Sequence, residues 1–254
     1  MRGKIVLILI CLGTALFAQT SMDALLAEAD QAFREERFND SARLYQEAAV
    51  RGNVNSAVYY NQGNAWFMAG EEHLAHLSYL KAEQLSPGDG DIKRNLSFIR
   101  ALSGEQEERS GRNELLRVLF FWHYDLSLRL RGIMLLVANG VFWGILTLFI
   151  LRKRKGLSFP MGALLVAGFL ALSLLVSTGV SRYDQENHPT GLILKDATAR
   201  KGDGDNFEEA FNRPLTGGTE FRLEEVRSDW YRITLADGSE GWIKKSEAGL
   251  VNYP

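Results

Sequence analysis

Residues 60–70 read YNQGNAWFMAG, and this stretch decides how the first third of the chain folds. Gly63, together with Ala75 further on, is small enough to let two helices approach each other closely. Gly70 permits a tight turn between them. Pro87 lacks the backbone donor that a helix needs, so it ends the second helix. We therefore predict a helical hairpin here.

The pattern occurs twice with a period of 34 residues, in the units 22–55 and 56–89. The second unit carries, in order, Tyr59, Gly63, Trp66, Gly70, Ala75, Tyr79, Ala82 and Pro87. The same positions of the first unit hold Leu25, Ala29, Ala32, Glu36, Ser41, Tyr45, Ala48 and Asn53. Such a hairpin buries its apolar face only by stacking on neighbours. Residues 90–103 repeat apolar positions at helical spacing, which predicts a capping helix.

These two units and the cap, residues 22–103, resemble the tetratricopeptide repeat family. The resemblance implies an α-solenoid whose concave groove binds peptides or protein segments. On this sequence the groove positions are Leu26, Asp30, Phe33, Arg34, Tyr60, Asn64, Phe67 and Met68. The alternative is that Phe33, Phe67 and Met68 only pack within the stack, because two repeats and a cap make a small groove.

Two segments, 132–151 and 157–180, carry no charged residue and are each long enough to cross a bilayer. The loop 152–156 between them is short, so the two predicted transmembrane helices form a hairpin. Its four consecutive cations, Arg152 to Lys155, indicate the cytoplasmic side. Both flanking regions would then lie outside the cytoplasm.

Residues 1–19 have the basic start and apolar run of a signal peptide. Ala18 offers a small residue for cleavage, but Leu16 occupies a position where a small residue is preferred, so an uncleaved anchor remains the alternative. The only cysteine, Cys11, lies in this segment, which leaves the cleaved chain without thiol chemistry. Export of the N-terminus and the cationic loop predict the same topology. We expect a two-pass protein of the inner membrane with both terminal domains in the periplasm.

Residues 104–131 are predicted to form a linker and an interfacial helix. The part 114–131 is apolar but carries five charged residues, too many to span a membrane cheaply. A helix would place Leu115, Leu119, Trp122 and Leu126 on one side, as in helices that lie along a membrane surface. Packing of this helix against the repeats is an equally supported alternative.

Residues 190–254 are β-rich. Residues 230–243, WYRITLADGSEGWI, contain two short apolar runs joined by Asp237-Gly238, which is typical of a β-hairpin. We also predict a strand at 192–199, and a turn followed by a strand at 217–223. Gly218-Thr219, Trp230-Tyr231, Asp237-Gly238 and Gly241-Trp242-Ile243 resemble the marks of the bacterial SH3-like family over about 190–250.

That resemblance implies a small β-barrel that binds peptides, cell-wall material or partner proteins. Trp230 and Tyr231 are adjacent on a strand and should point to opposite faces. We therefore expect one of them to be exposed as a ligand face, and we expect Trp242 to be a core residue.

The composition argues against several classes of function. The net charge of −2, without clustered cations on one face, predicts no nucleic-acid binding. His73 and His76 have no evident third ligand, so we expect solvated surface histidines, no metal and no cofactor. No nucleophile elbow or phosphate loop occurs, and we expect no enzymatic activity.

The fold class predicted is thus a multi-domain α + β membrane protein: an α-solenoid, a transmembrane helical hairpin and a small SH3-like β-barrel. This order resembles the BatE-like family of the Bacteroides aerotolerance operon. The resemblance implies a scaffold that works beside MoxR-associated von Willebrand factor A membrane proteins. Our leading hypothesis is an adaptor that binds partner proteins in an aerotolerance or envelope-stress system. The alternative is a cell-envelope sensor whose SH3-like domain binds cell-wall peptide.

Overall fold

The computed structural model describes residues 22–52, 54–103, 111–152 and 159–251. The predicted signal peptide, the acidic start of the linker and the predicted cytoplasmic loop beyond Arg152 lie outside these residues. Within them the chain is mixed, with helices up to residue 187 and a β-sheet after it.

Five helices form the first unit, which we call the helical domain. They are α1 (22–34), α2 (Phe38–Val50), α3 (Ser56–Met68), α4 (Glu72–Leu85) and α5 (Gly90–Leu102). Helices α3 and α4 begin 34 residues after α1 and α2, so the sequence period is also a period of structure. Helix α5 covers the segment predicted to be a cap.

Local signals explain where these helices begin and end. The side chain of Asn55 accepts a hydrogen bond from the Val58 amide and so caps α3. Gly70, with φ +81°, provides the left-handed turn before α4. Gly63 packs directly on the Tyr79 ring, where an added Cβ would meet the ring carbon at 2.5 Å. The predicted close approach of α3 and α4 at Gly63 is therefore present.

Four further helices follow. They are α6 (Gly111–Leu119), α7 (Phe121–Tyr124), α8 (Leu128–Arg152) and α9 (Phe159–Asn187). The single continuous helix predicted over 114–131 is wrong, because the helix is interrupted at Phe120 and again before Leu128. Helix α9 continues to Asn187, beyond the predicted transmembrane segment 157–180. Residues 181–188 contain no glycine or proline, so nothing in them stops a helix before Pro189.

Helices α8 and α9 pack on each other and are long and apolar enough to cross a membrane, over Leu128–Leu148 and Gly162–Asn187. Only 6% and 17% of their most apolar windows are buried by the rest of the protein. A core helix of a soluble domain would be covered instead, because its apolar surface would otherwise face water.

The C-terminal unit, which we call the sheet domain, is an antiparallel sheet in the order β4-β3-β2-β1-β5. Its strands are β1 (Thr190–Ile193), β2 (Glu220–Arg227), β3 (Trp230–Thr234), β4 (Glu240–Lys244) and β5 (Ala248–Leu250). The hairpin predicted at Asp237-Gly238 is confirmed: Gly238 has φ +83°, and β3 pairs with β4 on either side of it.

The closed barrel that we predicted is wrong, because β4 and β5 are the two edges of an open sheet. The strand predicted over 192–199 is shorter and ends at Ile193. Residues 194–219 then form a loop that pairs with the sheet only through isolated bridges, such as the one between Arg200 and Trp242 of β4. That loop covers the β4 edge without adding a full strand.

Strand β1 joins the two domains. Leu192 packs into the core of the helical domain, while its neighbour Ile193 packs into the core of the sheet domain. Successive residues of a strand face opposite sides, so one short strand contributes to both cores. The helical domain therefore rests on one face of the sheet.

Candidate functional site

The helical domain carries an open groove on its concave side. Two adjoining cavities of about 340 Å³ and 160 Å³ form it. Six of the eight predicted groove residues line these cavities: Asp30, Phe33, Arg34, Asn64, Phe67 and Met68. The other two do not line them. Leu26 packs against a core shared by α1, α2 and α3, and Tyr60 packs beside the Tyr79 ring, with 6.0 Å between the ring centres.

The end of the groove between α3 and α5 is apolar. Phe67 meets Phe98 edge-on, with 5.7 Å between the ring centres. Met68 and Phe98 are 54% and 56% exposed, and both line the same cavity. Large apolar side chains left this exposed beside a concavity mark a surface that can be covered by a partner.

A fixed amide lies at the floor of this apolar end. The Oδ1 atom of Asn64 accepts hydrogen bonds from the Tyr79 hydroxyl at 2.8 Å and from Asn95 Nδ2 at 3.1 Å. Burial raises the pKa of Tyr79 to about 12, so its hydroxyl remains a donor at neutral pH. These two donors orient the Asn64 amide with its NH₂ group directed away from them. Such a group can donate to the backbone carbonyl of a bound segment.

The other end of the groove, along α1, is charged. The hydroxyl of Tyr45 donates to Asp30, and Arg34 donates to Gln31 at 3.0 Å. Burial and the hydrogen bond to Asp30 raise the pKa of Tyr45. The groove therefore offers an apolar half and a charged half to one ligand.

Sequence reasoning missed Asn95 and Phe98, which belong to the groove. We read α5 only as a cap because Ile92, Leu96 and Ile99 form its buried face. A large exposed aromatic residue on the flank of such a helix was the available signal.

The expectation that Trp230 or Tyr231 is exposed as a ligand face is wrong. Trp230 and Tyr231 point to opposite faces as expected, but both are buried. Tyr231 lies in the sheet core, and the Lys244 ammonium lies over the Trp230 ring at 5.6 Å. Trp242 is buried as predicted, with the Arg227 guanidinium 5.1 Å from its ring centre. Cations of neighbouring strands thus cover the face that we expected to be open.

The prediction of solvated histidines on α4 is also wrong, because both face the sheet domain. The Nε2 atom of the fully buried His76 donates to Glu220 at 2.9 Å, since a carboxylate only accepts. Arg100 donates to both oxygens of the same carboxylate, at 2.7 Å and 3.2 Å. His73 packs against Gly217, where an added Cβ would lie 2.5 Å from its Nε2.

Glu220, His76 and Arg100 together form what we call the junction cluster. Burial alone would raise the pKa of Glu220, but the hydrogen bonds from His76 and Arg100 outweigh it and lower the pKa to about 2. The carboxylate is therefore ionised at all physiological pH values. The cluster fixes the sheet domain on helices α4 and α5, the helices behind the apolar end of the groove.

A second ion cluster holds the segment before the membrane helices. The carboxylate of Asp125 accepts from Lys93 of α5 at 2.9 Å and from Arg117 of α6 at 2.9 Å. The apolar residues Leu115, Val118 and Leu119 of α6 are exposed. These exposures favour the interfacial alternative, while Asp125 ties the segment to the helical domain.

Among the residues that the structure describes, no group of three His, Cys, Asp or Glu side chains could hold a metal ion. No protein-family model matches the chain, and no curated protein matches it either. The groove and the junction cluster are therefore interpreted from their own chemistry.

Proposed function

We propose that this protein is a membrane-anchored adaptor without enzymatic activity, whose tetratricopeptide-like groove binds a segment of a partner protein. The groove carries the proposal. It combines exposed apolar side chains, Met68 and Phe98, with an oriented amide at Asn64. Apolar pockets supply affinity for a segment, and fixed amides supply register along its backbone.

The two long apolar helices would anchor the adaptor in a membrane. We propose that α8 and α9 cross the inner membrane and that the helical and sheet domains both lie in the periplasm. The support is the exposure of α8 and α9 and the run of cations at 152–155, which favours the cytoplasmic side. The order of segments supports membership of the BatE-like family, with MoxR-associated von Willebrand factor A membrane proteins as the partners.

The sheet domain, proposed to be SH3-like, would then act as a support. Its contact with α4 and α5 through the junction cluster favours this role. The sensor alternative needs an open ligand face for cell-wall peptide, and the burial of Trp230 and Tyr231 removes the face we expected. We therefore retain the adaptor.

The adaptor is tested by a crosslinked membrane pull-down with the full-length protein. Phe98→Glu places a charge at the apolar end of the groove. Val50→Glu is the matched control, because Val50 is 81% exposed on α2 and lies outside the groove. The proposal expects a defined membrane protein to be recovered with the natural chain and with the control, and to be lost with Phe98→Glu. Equal recovery with both variants would exclude the groove as the binding surface.

A further inference from the structure

A second, larger cavity lies between the helical domain and the ends of the membrane helices that face it. It has a volume of about 660 Å³. Residues of four regions line it: Tyr59 and Lys81 of the helical domain, Ser127 to Arg129 at the start of α8, Gln185 and Glu186 near the end of α9, and Val251 at the end of the sheet domain. We call it the membrane-side cleft. None of the groove residues lines it.

Part of the wall of the membrane-side cleft is aliphatic. Val54, Leu85, Leu128 and Val251 line it, and Val54 is exposed. Because the cleft opens where α8 and α9 begin and end, these walls lie at the expected level of the bilayer surface. An occupant of this cleft needs an apolar part as well as a polar one.

Two cations and a helix start provide the polar part. Lys81 and Arg129 both line the cleft, and among the described residues neither forms an ion pair with a carboxylate. Lys81 lies beside the Tyr59 ring, 5.8 Å from its centre, and burial lowers the pKa of its ammonium group. Leu128 and Arg129 open the 25-residue helix α8, and their amides have no partner within the helix, whereas the Leu130 amide donates to the Ser127 hydroxyl.

The Lys81 ammonium is partly buried with only an aromatic ring beside it, and an anion in the cleft would compensate its charge better. The carboxylate of Glu186 also lines the cleft and would disfavour a highly charged anion. A singly charged group with an attached apolar body fits both conditions better than a free multivalent ion.

We propose that the membrane-side cleft binds the phosphate headgroup of a phospholipid from the leaflet beneath the helical domain. Lys81, Arg129 and the first amides of α8 would hold the phosphodiester, and the aliphatic wall would hold the glycerol and upper acyl region. The bound lipid would fill the space between the helical domain and the membrane helices and so fix the height of the groove above the membrane. This inference rests on the proposed membrane insertion of α8 and α9.

The test uses the delipidated full-length protein in neutral detergent. Dihexanoyl phosphatidylglycerol is titrated, and bound molecules per chain are counted by native mass spectrometry. We expect one saturable site. Lys81→Gln and Arg129→Gln should each weaken it by about tenfold, the effect of removing one charge-assisted contact. Lys195→Gln, which removes the same charge from an exposed position of the sheet domain, should leave it unchanged.

Three results would overturn the proposal. Equal binding by all variants would show that the cleft cations do not hold the lipid. Equally tight binding of inorganic phosphate would identify a free anion as the ligand, and equally tight binding of dihexanoylglycerol would identify a purely apolar site. Arg129 is exposed, so its variant keeps the test valid if Lys81→Gln folds poorly.

Extraction of cell membranes with alkaline carbonate separates this proposal from the one on which it rests. If carbonate releases the protein, membrane insertion and lipid binding both fail. If the protein resists extraction but shows no saturable site, only the lipid proposal fails.

Discussion

Replacing Glu220 with Gln removes the charge of the junction cluster while keeping the size of the side chain. In the folded protein the Glu220 carboxylate accepts three hydrogen bonds, and its pKa falls from 4.5 to about 2. A depression of that size corresponds to about 3 kcal/mol of stability at neutral pH. The side chain is 24% exposed, and solvent screens part of this, so we expect Glu220→Gln to cost about 2 kcal/mol.

Thermal unfolding of the full chain in detergent, followed by near-ultraviolet circular dichroism, measures this cost. A loss of about 2 kcal/mol lowers the melting temperature of a chain of this size by about 4–8 °C. The control is Glu225→Gln on the same strand β2. Its partners Arg227 and Arg232 are more exposed than His76 and Arg100, so Glu225→Gln should lower the free energy of unfolding by less than about 1 kcal/mol.

The pH dependence gives an independent check. Because the folded-state pKa of Glu220 is depressed, its ionised form stabilises the fold above pH 4.5. This contribution falls as the pH is lowered towards 2. The difference between the natural protein and Glu220→Gln should therefore shrink by more than half between pH 7 and pH 3, by about 2 of the 3 kcal/mol before screening. A difference that is absent at pH 7, or no larger than that of Glu225→Gln, would refute the role of the junction cluster.

Two further changes test the packing of the helical domain. Gly63→Ala should destabilise the protein by about 1–2 kcal/mol, because the cost of overpacking against the Tyr79 ring exceeds the gain in helix propensity. Adding Tyr79→Leu to the same chain should recover part of this loss of stability, as measured by thermal unfolding. Asp125→Asn should lower the free energy of unfolding by less than about 1 kcal/mol but detach α6 from the helical domain. Limited trypsin digestion should then cleave faster after Arg117. Unchanged cleavage would contradict the tie between α6 and Lys93 through Asp125.

The helical part of the fold could be predicted because its signals are local and periodic. Tyr79 repeats Tyr45 after 34 residues, Gly63 lets helix α4 approach helix α3, and Gly70 forms the turn between these two helices. The groove positions came from the family resemblance, and three of them, Phe33, Asn64 and Phe67, line one cavity of the helical domain. Phe98 and Asn95 were missed because α5 lies outside the repeat.

The junction between the domains could not be predicted. Glu220 lies 144 residues from His76 and 120 from Arg100, and no local pattern relates residues so far apart. A histidine on a helix was therefore interpreted as exposed, although the sheet covers it. The open sheet could not be predicted for a related reason. Whether a sheet closes into a barrel depends here on how the loop 194–219 pairs with the strands.

The burial of Trp230 and Tyr231 shows a further limit. Alternation along β3 correctly predicted that the two rings point to opposite faces. It did not predict that Lys244, on the neighbouring strand, would cover the second face. Exposure depends on cross-strand neighbours, and their register is set by the complete sheet.

Site-specific photocrosslinking in cells tests the central claim, that the groove holds a segment of a partner protein. A benzoylphenylalanine at position 98 keeps an aromatic side chain in the groove, and the same residue at position 50 reports on the outer surface of α2. We predict one abundant product from position 98, mapped by mass spectrometry to a contiguous segment of a protein in the same membrane, and no such product from position 50. Products that are absent from both positions, or identical at both, would contradict the adaptor.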